Sequence, residues 1–157
     1  MNREQPHIVV LPEDDANRQL ANGFWLQLDW DRQRRMKVLP VAGGWTYALQ
    51  SLPTLEMDRW PLRLVVLLID FDNHFAARLQ NVKDQISPHL ADRVFILGAL
   101  DDPEALKRAG LGSYEDIGIA MAEDCRQETD ATWRHALLQH NAGELDRLRQ
   151  HVRPLLF

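Results

Sequence analysis

The sequence is poor in several things, and each shortage narrows the reading. There is a single cysteine, Cys125, in 157 residues, so an internal disulfide and a cysteine-based zinc cluster are both excluded. Tyrosine is scarce: Tyr47 and Tyr114 are the two present, and neither stands in a motif that would support a covalent tyrosyl step. Positive charge is in deficit. The formal net charge is −5, which argues against a broad basic face for autonomous duplex binding, although a local basic groove or a basic partner stays open. Long hydrophobic runs are missing too. The longest, Leu64 to Ile69, is far too short to cross a membrane. The opening "MNREQPH" is polar and reads as no leader, so a soluble protein of a reducing cytoplasm is expected.

What is present fits one ordinary domain over residues 1–157, with 45% apolar and 26% charged residues. "HIVVL" (7–11) reads as a buried strand stopped by Pro12. Leu20, Phe24 and Leu28 then recur at helical spacing, with Asp14 or Asp15 as cap. "MKVLPV" (36–41) is a second strand, and "AGGW" turns into a helix from about Trp45 to Leu52. "LRLVVLLIDF" (62–71) is apolar on consecutive rather than alternate residues, as a strand covered on both faces should be. Phe75, Leu79, Val82 and Ile86 predict a helix, "RVFILG" (93–98) a fourth strand, and "DDPEALKRAG" (101–110) a short capped helix. From Ser113 onward the chain reads as mainly helical, with stripes at Leu145, Leu148 and Val152 and at Trp133, Leu137 and Leu138. The expected fold is α/β: a mostly parallel sheet of about four strands with helices on both faces, and a helical extension over 113–157 packed on it.

The strand ends carry the polar residues. The first strand closes on Glu13, Asp14 and Asp15, the second on Gly43 and Gly44, the third on Asp70 and Asp72. Ligands of such sheets bind beyond the carboxyl ends of the strands. Acids from two strands gathered there would repel one another unless a cation offset them, and Mg²⁺ (or Mn²⁺) suits hard oxygen donors.

The order of these features resembles the Toprim domain of topoisomerases, primases and OLD-type nucleases. The resemblance rests on "VVLPEDDANRQL", which supplies the glutamate Glu13; on "LLIDFDNH", which supplies the aspartate pair Asp70 and Asp72; and on "VLPVAGGWTYAL", "RVFILG" and "YEDIG". It spans about residues 7 to 120. It departs where Asp14 stands in place of a glycine after the glutamate and where Pro12 precedes it. The resemblance implies Mg²⁺-assisted phosphoryl transfer on nucleic acid, by a small nuclease or a nuclease-like subunit of a larger assembly. Glu13, Asp70 and Asp72 would be the catalytic and metal-holding residues, and Gly43, Gly44 and Arg78 (or Lys83) would contact substrate.

Two other readings stay open. "IVVLPEDDANRQL" also resembles the acidic pocket of response-regulator receivers, with Asp70 as phosphoacceptor, though a lysine closing a fifth strand is not found. An inactive domain docking a protein partner or a second copy through "VRPLLF" is the other. Among secondary candidates, His74 could move protons, while Glu115 and Asp116 read as first-turn acids. The tryptophans read as core or partner contacts rather than base-stacking platforms.

Overall fold

The computed structural model describes all 157 residues as an α/β domain. Four strands, β1 (His7–Pro12), β2 (Met36–Val38), β3 (Arg63–Leu68) and β4 (Val94–Leu97), form one sheet in the order β2-β1-β3-β4. All three pairings are parallel: Val10 lies opposite Val38 on one side and Val66 on the other, and Val66 lies opposite Phe95. Every crossover carries a helix. α1 (Asp15–Leu26) joins β1 to β2, α2 (Trp45–Gln50) with a 3-10 turn at Leu52–Leu55 joins β2 to β3, and α3 (Phe75–Asp84) joins β3 to β4. Beyond the sheet come α4 (Pro103–Arg108), α5 (Tyr114–Gln127) and α6 (Ala142–Leu156).

The consecutive apolar residues of the strands divide between two cores. Ile8, Val10, Val66, Phe95 and Leu97 face α1, α5 and α6, where Leu20, Ile117, Met121, Leu148 and Leu156 cover them. Val9, Leu11, Val65, Leu67 and Ile96 face the other way, onto Ala48, Leu49, Leu52 and Val82. The region 113–157 thus supplies most of one helical layer. The closing "VRPLLF" belongs to it: Leu155 and Leu156 are buried within that core, so the tail packs on its own domain instead of presenting an apolar end to a partner. No helix is long and apolar enough to cross a membrane.

The expected elements hold, with one correction. Trp133, Leu137 and Leu138 do not form a helical stripe, because residues 128–138 run as turns between α5 and a 3-10 turn at Gln139–Asn141. The cause is the buried carboxylate of Asp124. It accepts hydrogen bonds from Thr129 Oγ1 (2.7 Å) and from the backbone N–H groups of Ala131, Thr132 and Trp133 (3.1, 2.7 and 3.2 Å). These bonds hold the loop in place of a helical ladder, and Trp133 is buried by them. Asp124→Ala would leave three backbone donors without their acceptor. We expect a loss of about 3 kcal/mol, since each unpaired buried group costs roughly 1–3 kcal/mol. Asp124→Asn, which keeps one acceptor oxygen, should lose less. Urea unfolding followed by tryptophan fluorescence measures both; a loss below about 1 kcal/mol for the alanine variant would remove Asp124 from this role.

The outer edge of β4 is closed by side chains. Glu144 accepts from the Ile96 N–H (3.0 Å), and Asn141 accepts from the Gly98 N–H (3.1 Å) while donating to the Gly98 carbonyl (2.9 Å). The start of α6 therefore takes the hydrogen bonds that a fifth strand would make. Burial alone would raise the Glu144 carboxyl, but Arg147 and Lys83 beside it hold it below the ordinary range. Lys83 is engaged with Glu144 at 2.6 Å, which corrects its reading as a phosphate clamp beside the acids.

Candidate functional site

From β1 the chain runs to β2 on one side and then crosses to β3 on the other, so the sheet order reverses between β1 and β3. In open α/β sheets that reversal opens a crevice at the carboxyl ends of the two strands. Glu13 and Asp70 lie in it. The Glu13 N–H donates to the Leu68 carbonyl (2.9 Å), extending the ladder by one residue. Its carboxylate then accepts the Asp70 N–H at 2.6 Å, and so replaces the strand carbonyl that would come next. Glu13 and Asp70 are thereby adjacent at the carboxyl ends of β1 and β3, joined through the Glu13 carboxylate and the Asp70 backbone.

Asp14 caps α1. Its backbone is extended, and its carboxylate accepts the Asn17 N–H at 3.0 Å. Asn17 is wholly buried, and its side-chain amide donates both to Asp14 (2.9 Å) and to the Asp70 carboxylate (2.8 Å). That amide is the sole side-chain donor to Asp70, which no cation pairs. Asp70 is 7% exposed. Burial, followed by the charges of Glu13, Asp14 and Asp72, outweighs the Asn17 hydrogen bond and pushes its carboxyl up to about 8. Glu13 is raised as well, first by burial and then by Asp14 and Asp72, against the Asp70 N–H and Arg78.

Asp72 sits differently. It and Asn73 both have positive φ (47° and 60°), a left-handed turn that these short polar side chains tolerate better than most. Their N–H groups donate to the Asp101 and Leu100 carbonyls, which anchors the turn to the loop after β4. The Asp72 carboxylate is exposed and pairs with Arg78 at 2.6 Å. Arg78 also donates to the Asp70 carbonyl (2.7 Å) and lies 4.8 Å from the centre of the Trp45 ring. The guanidinium thus ties α3 to the turn and to the start of α2. The Gly43 N–H donates to the Glu13 carbonyl (2.9 Å), and Gly43 and Gly44 have φ of 94° and 150°, where a side chain would be strained. Their turn carries the chain away from Glu13 and delivers Trp45 beneath Arg78.

Of the secondary candidates, His74 is exposed at the start of α3, and Asp116 forms a capping box with Ser113. Two neighbours of the site carry no signal in the sequence. Asn17 is one; its Oδ1 is buried with no partner. The other is His140. Its Nε2 donates to the Gly98 carbonyl (2.7 Å), its ring packs edge-on against Phe71 and Phe75, and its Nδ1 is buried and unpartnered. Burial holds His140 below its ordinary pKa, against the Gly98 hydrogen bond. The "DDAN" spacing signals the cap, but nothing local joins residue 17 to residue 70.

The chemistry of this donor set suits a hard divalent cation. It offers carboxylate oxygens, one of them buried among like charges, beside an orphaned amide oxygen. No three His, Cys, Asp or Glu side chains are gathered so as to hold a metal ion, so Glu13, Asp70 and Asp72 do not form one ligand set, and the Asp72 carboxylate is turned to Arg78. Mg²⁺ does not require three, since it keeps several waters and is commonly held by one or two carboxylates together with substrate phosphate. No family model, curated protein or solved structure gives a significant match to the chain.

Proposed function

We propose that the chain is a Toprim-like, Mg²⁺-dependent phosphoryl-transfer protein of the cytoplasm, hydrolysing phosphodiesters of nucleic acid alone or as the nuclease-like subunit of a larger assembly. One observation carries the reading: Glu13 and Asp70 are brought together at the reversal point of the sheet, in a setting that penalises their charge unless a cation is shared. Asp70 and Asp72 would hold the metal, with Glu13 as base. Bound Mg²⁺ would supply charge to polarise the phosphoryl oxygen. The chain's own contribution is placement and proton acceptance. Asn17 holds the Asp70 carboxylate, Arg78 holds the Asp72 turn, and Glu13, raised by burial, is a better proton acceptor for an attacking water than an ordinary carboxylate. Gly43 and Gly44 would let substrate approach the backbone beside Glu13, with the Tyr47 ring bordering the turn.

The receiver reading has less support. The edge of β4 where a lysine-bearing fifth strand would pair is occupied by Asn141 and Glu144.

Calorimetric titration with Mg²⁺ and Mn²⁺ tests the proposal. Asp70→Asn and Asp72→Asn should each weaken binding tenfold or more, the equivalent of about 1.4 kcal/mol. Equal affinity in wild type and both variants would defeat the metal assignment. Hydrolysis of single-stranded DNA, duplex DNA and RNA should then be abolished by the same substitutions. A mass gain on Asp70 from a small phosphodonor would instead favour the receiver reading.

A further inference from the structure

Away from the acids, positive charge collects in one place. Arg32, Arg34, Arg35 and Lys37 fall within six residues of the turn before β2 and of β2 itself, in a chain whose net charge is −5. Each of the ten ion pairs of the molecule involves other cations. Asp29 and Asp31, both exposed, precede the run, so the segment still carries twice as many cations as carboxylates. Arg32 turns inward to the Leu155 carbonyl. The other three line two adjoining clefts of about 300 and 440 Å³ along the outer edge of the sheet, with Arg34 in both. Trp30 is 74% exposed, the most exposed of the large apolar side chains, and the Arg34 guanidinium lies 5.3 Å from its ring centre. An unburied indole backed by arginine, beside unpaired cations, is how single-stranded nucleic acid is gripped: bases stack on the ring while the backbone follows the charge.

The strip also leads to the acids. β2 runs parallel to β1 with Met36 opposite Ile8, and the Leu39, Ala42 and Gly43 N–H groups continue the pairing to Val10, Pro12 and Glu13. From Ile8 to Glu13 is about 17 Å at 3.3 Å per strand residue. A strand lying along this edge would enter at Arg34 and reach the cleft within a few nucleotides.

We propose that Trp30, Arg34, Arg35 and Lys37 form a binding strip for single-stranded nucleic acid, which holds the part of the substrate flanking the Glu13–Asp70 cleft. This rests on the phosphodiester reading above, and its test separates the two. Binding of a labelled oligothymidylate of about twelve nucleotides, long enough for a site of this kind, is followed by anisotropy in EDTA, where no divalent cation contributes. The wild type should bind with a log–log salt slope of about −2, corresponding to three phosphates at roughly 0.7 each. The triple variant R34Q/R35Q/K37Q should lose about tenfold in affinity at ~100 mM salt and most of that slope. Trp30→Ala should lose about tenfold at little change in slope. No binding by the wild type, or unchanged affinity and slope in the triple variant, would overturn the strip. So would anionic phospholipid vesicles that bind through these residues and exclude the oligonucleotide. Metal binding and hydrolysis that survive while the strip fails leave the acidic site standing. Strip binding without hydrolysis in Mg²⁺ removes the phosphodiester reading instead.

Discussion

Asp70→Asn should make the protein more stable in EDTA, and the gain should grow with pH. The sign follows from the raised carboxyl. Its ordinary value is 3.8 and its folded value about 8, so between those limits the folded chain binds a proton that the unfolded chain has released. Stability therefore falls as pH rises across that window, and the loss is complete above pH 8. Asparagine keeps the acceptor for Asn17, carries no charge to desolvate, and shows no such slope at this position. Every pH step of one between the two values costs about 1.36 kcal/mol at most, and the neighbouring acids relax when one charge is removed, so we expect a gain of about 2–4 kcal/mol at pH 9 and little at pH 4. For a chain of this length that is about 5–10 °C in Tm. Saturating Mg²⁺ should reverse the ranking at high pH, because it binds the ionised wild type and has lost a ligand in the variant. Thermal unfolding of both proteins from pH 4 to 9, with and without Mg²⁺, checks this. Parallel Tm–pH curves would show that Asp70 is not held against its charge, and the strongest physical argument for a shared cation would go with it.

How far the sequence can reach is visible in the same residues. Strands β1 and β3 are legible because both their faces are buried, which writes an unbroken apolar run into the chain; the acids follow where the run stops. Parallel strands place Glu13 and Asp70 at the same edge of the sheet, but that they share one crevice needs β1 and β3 to be neighbours, which the sequence does not state. Asn17 needs that order too. Its amide reaches Asp70 only because β1 and β3 are neighbours and α1 starts beside them. Lys83 is close to the aspartates in sequence, following them by little more than ten residues, but helix α3 carries it to Glu144 on a distant part of the chain. The spacing of Trp133 and Leu137 suggests helix where the chain makes turns after Glu128. The competing instruction comes from Asp124, whose burial beneath its own loop leaves no periodic trace. Trp30 is indistinguishable in sequence from the other tryptophans, and its exposure beside Arg34 exists only in three dimensions.

A large loss of stability should also come from two glycines that touch none of the acids of the cleft. Gly23 in α1 and Gly118 in α5 lie where the two helices cross. A Cβ on Gly23 would overlap the Glu115 carbonyl oxygen, with the Glu115 carbonyl carbon at 2.8 Å; one on Gly118 would overlap the Leu20 carbonyl oxygen, with the Phe24 nitrogen at 2.9 Å. These obstacles are backbone atoms, which cannot swing aside as a flexible side chain can, so the helices must move apart. In an isolated helix, alanine is favoured over glycine by about 1 kcal/mol. We expect the crossing to reverse that preference, with Gly23→Ala and Gly118→Ala each destabilising by about 3 kcal/mol, the upper part of the usual range for overpacking. Gly143→Ala, at a position in α6 with nothing near the added methyl, should be neutral or stabilising by up to ~1 kcal/mol. The double variant should lose less than the sum of the two singles, since a crossing opened by one methyl already has room for the second. The consequence reaches the cleft. α1 carries Asp14 and Asn17 at its start, and displacing the helix withdraws the donor that holds Asp70. Gly23→Ala should therefore weaken Mg²⁺ binding as well as lower Tm, although residue 23 touches none of the acids. Full wild-type stability in both single variants would mean that α1 and α5 do not approach as closely as described, and the placement of Asn17 against Asp70 would have to be reconsidered.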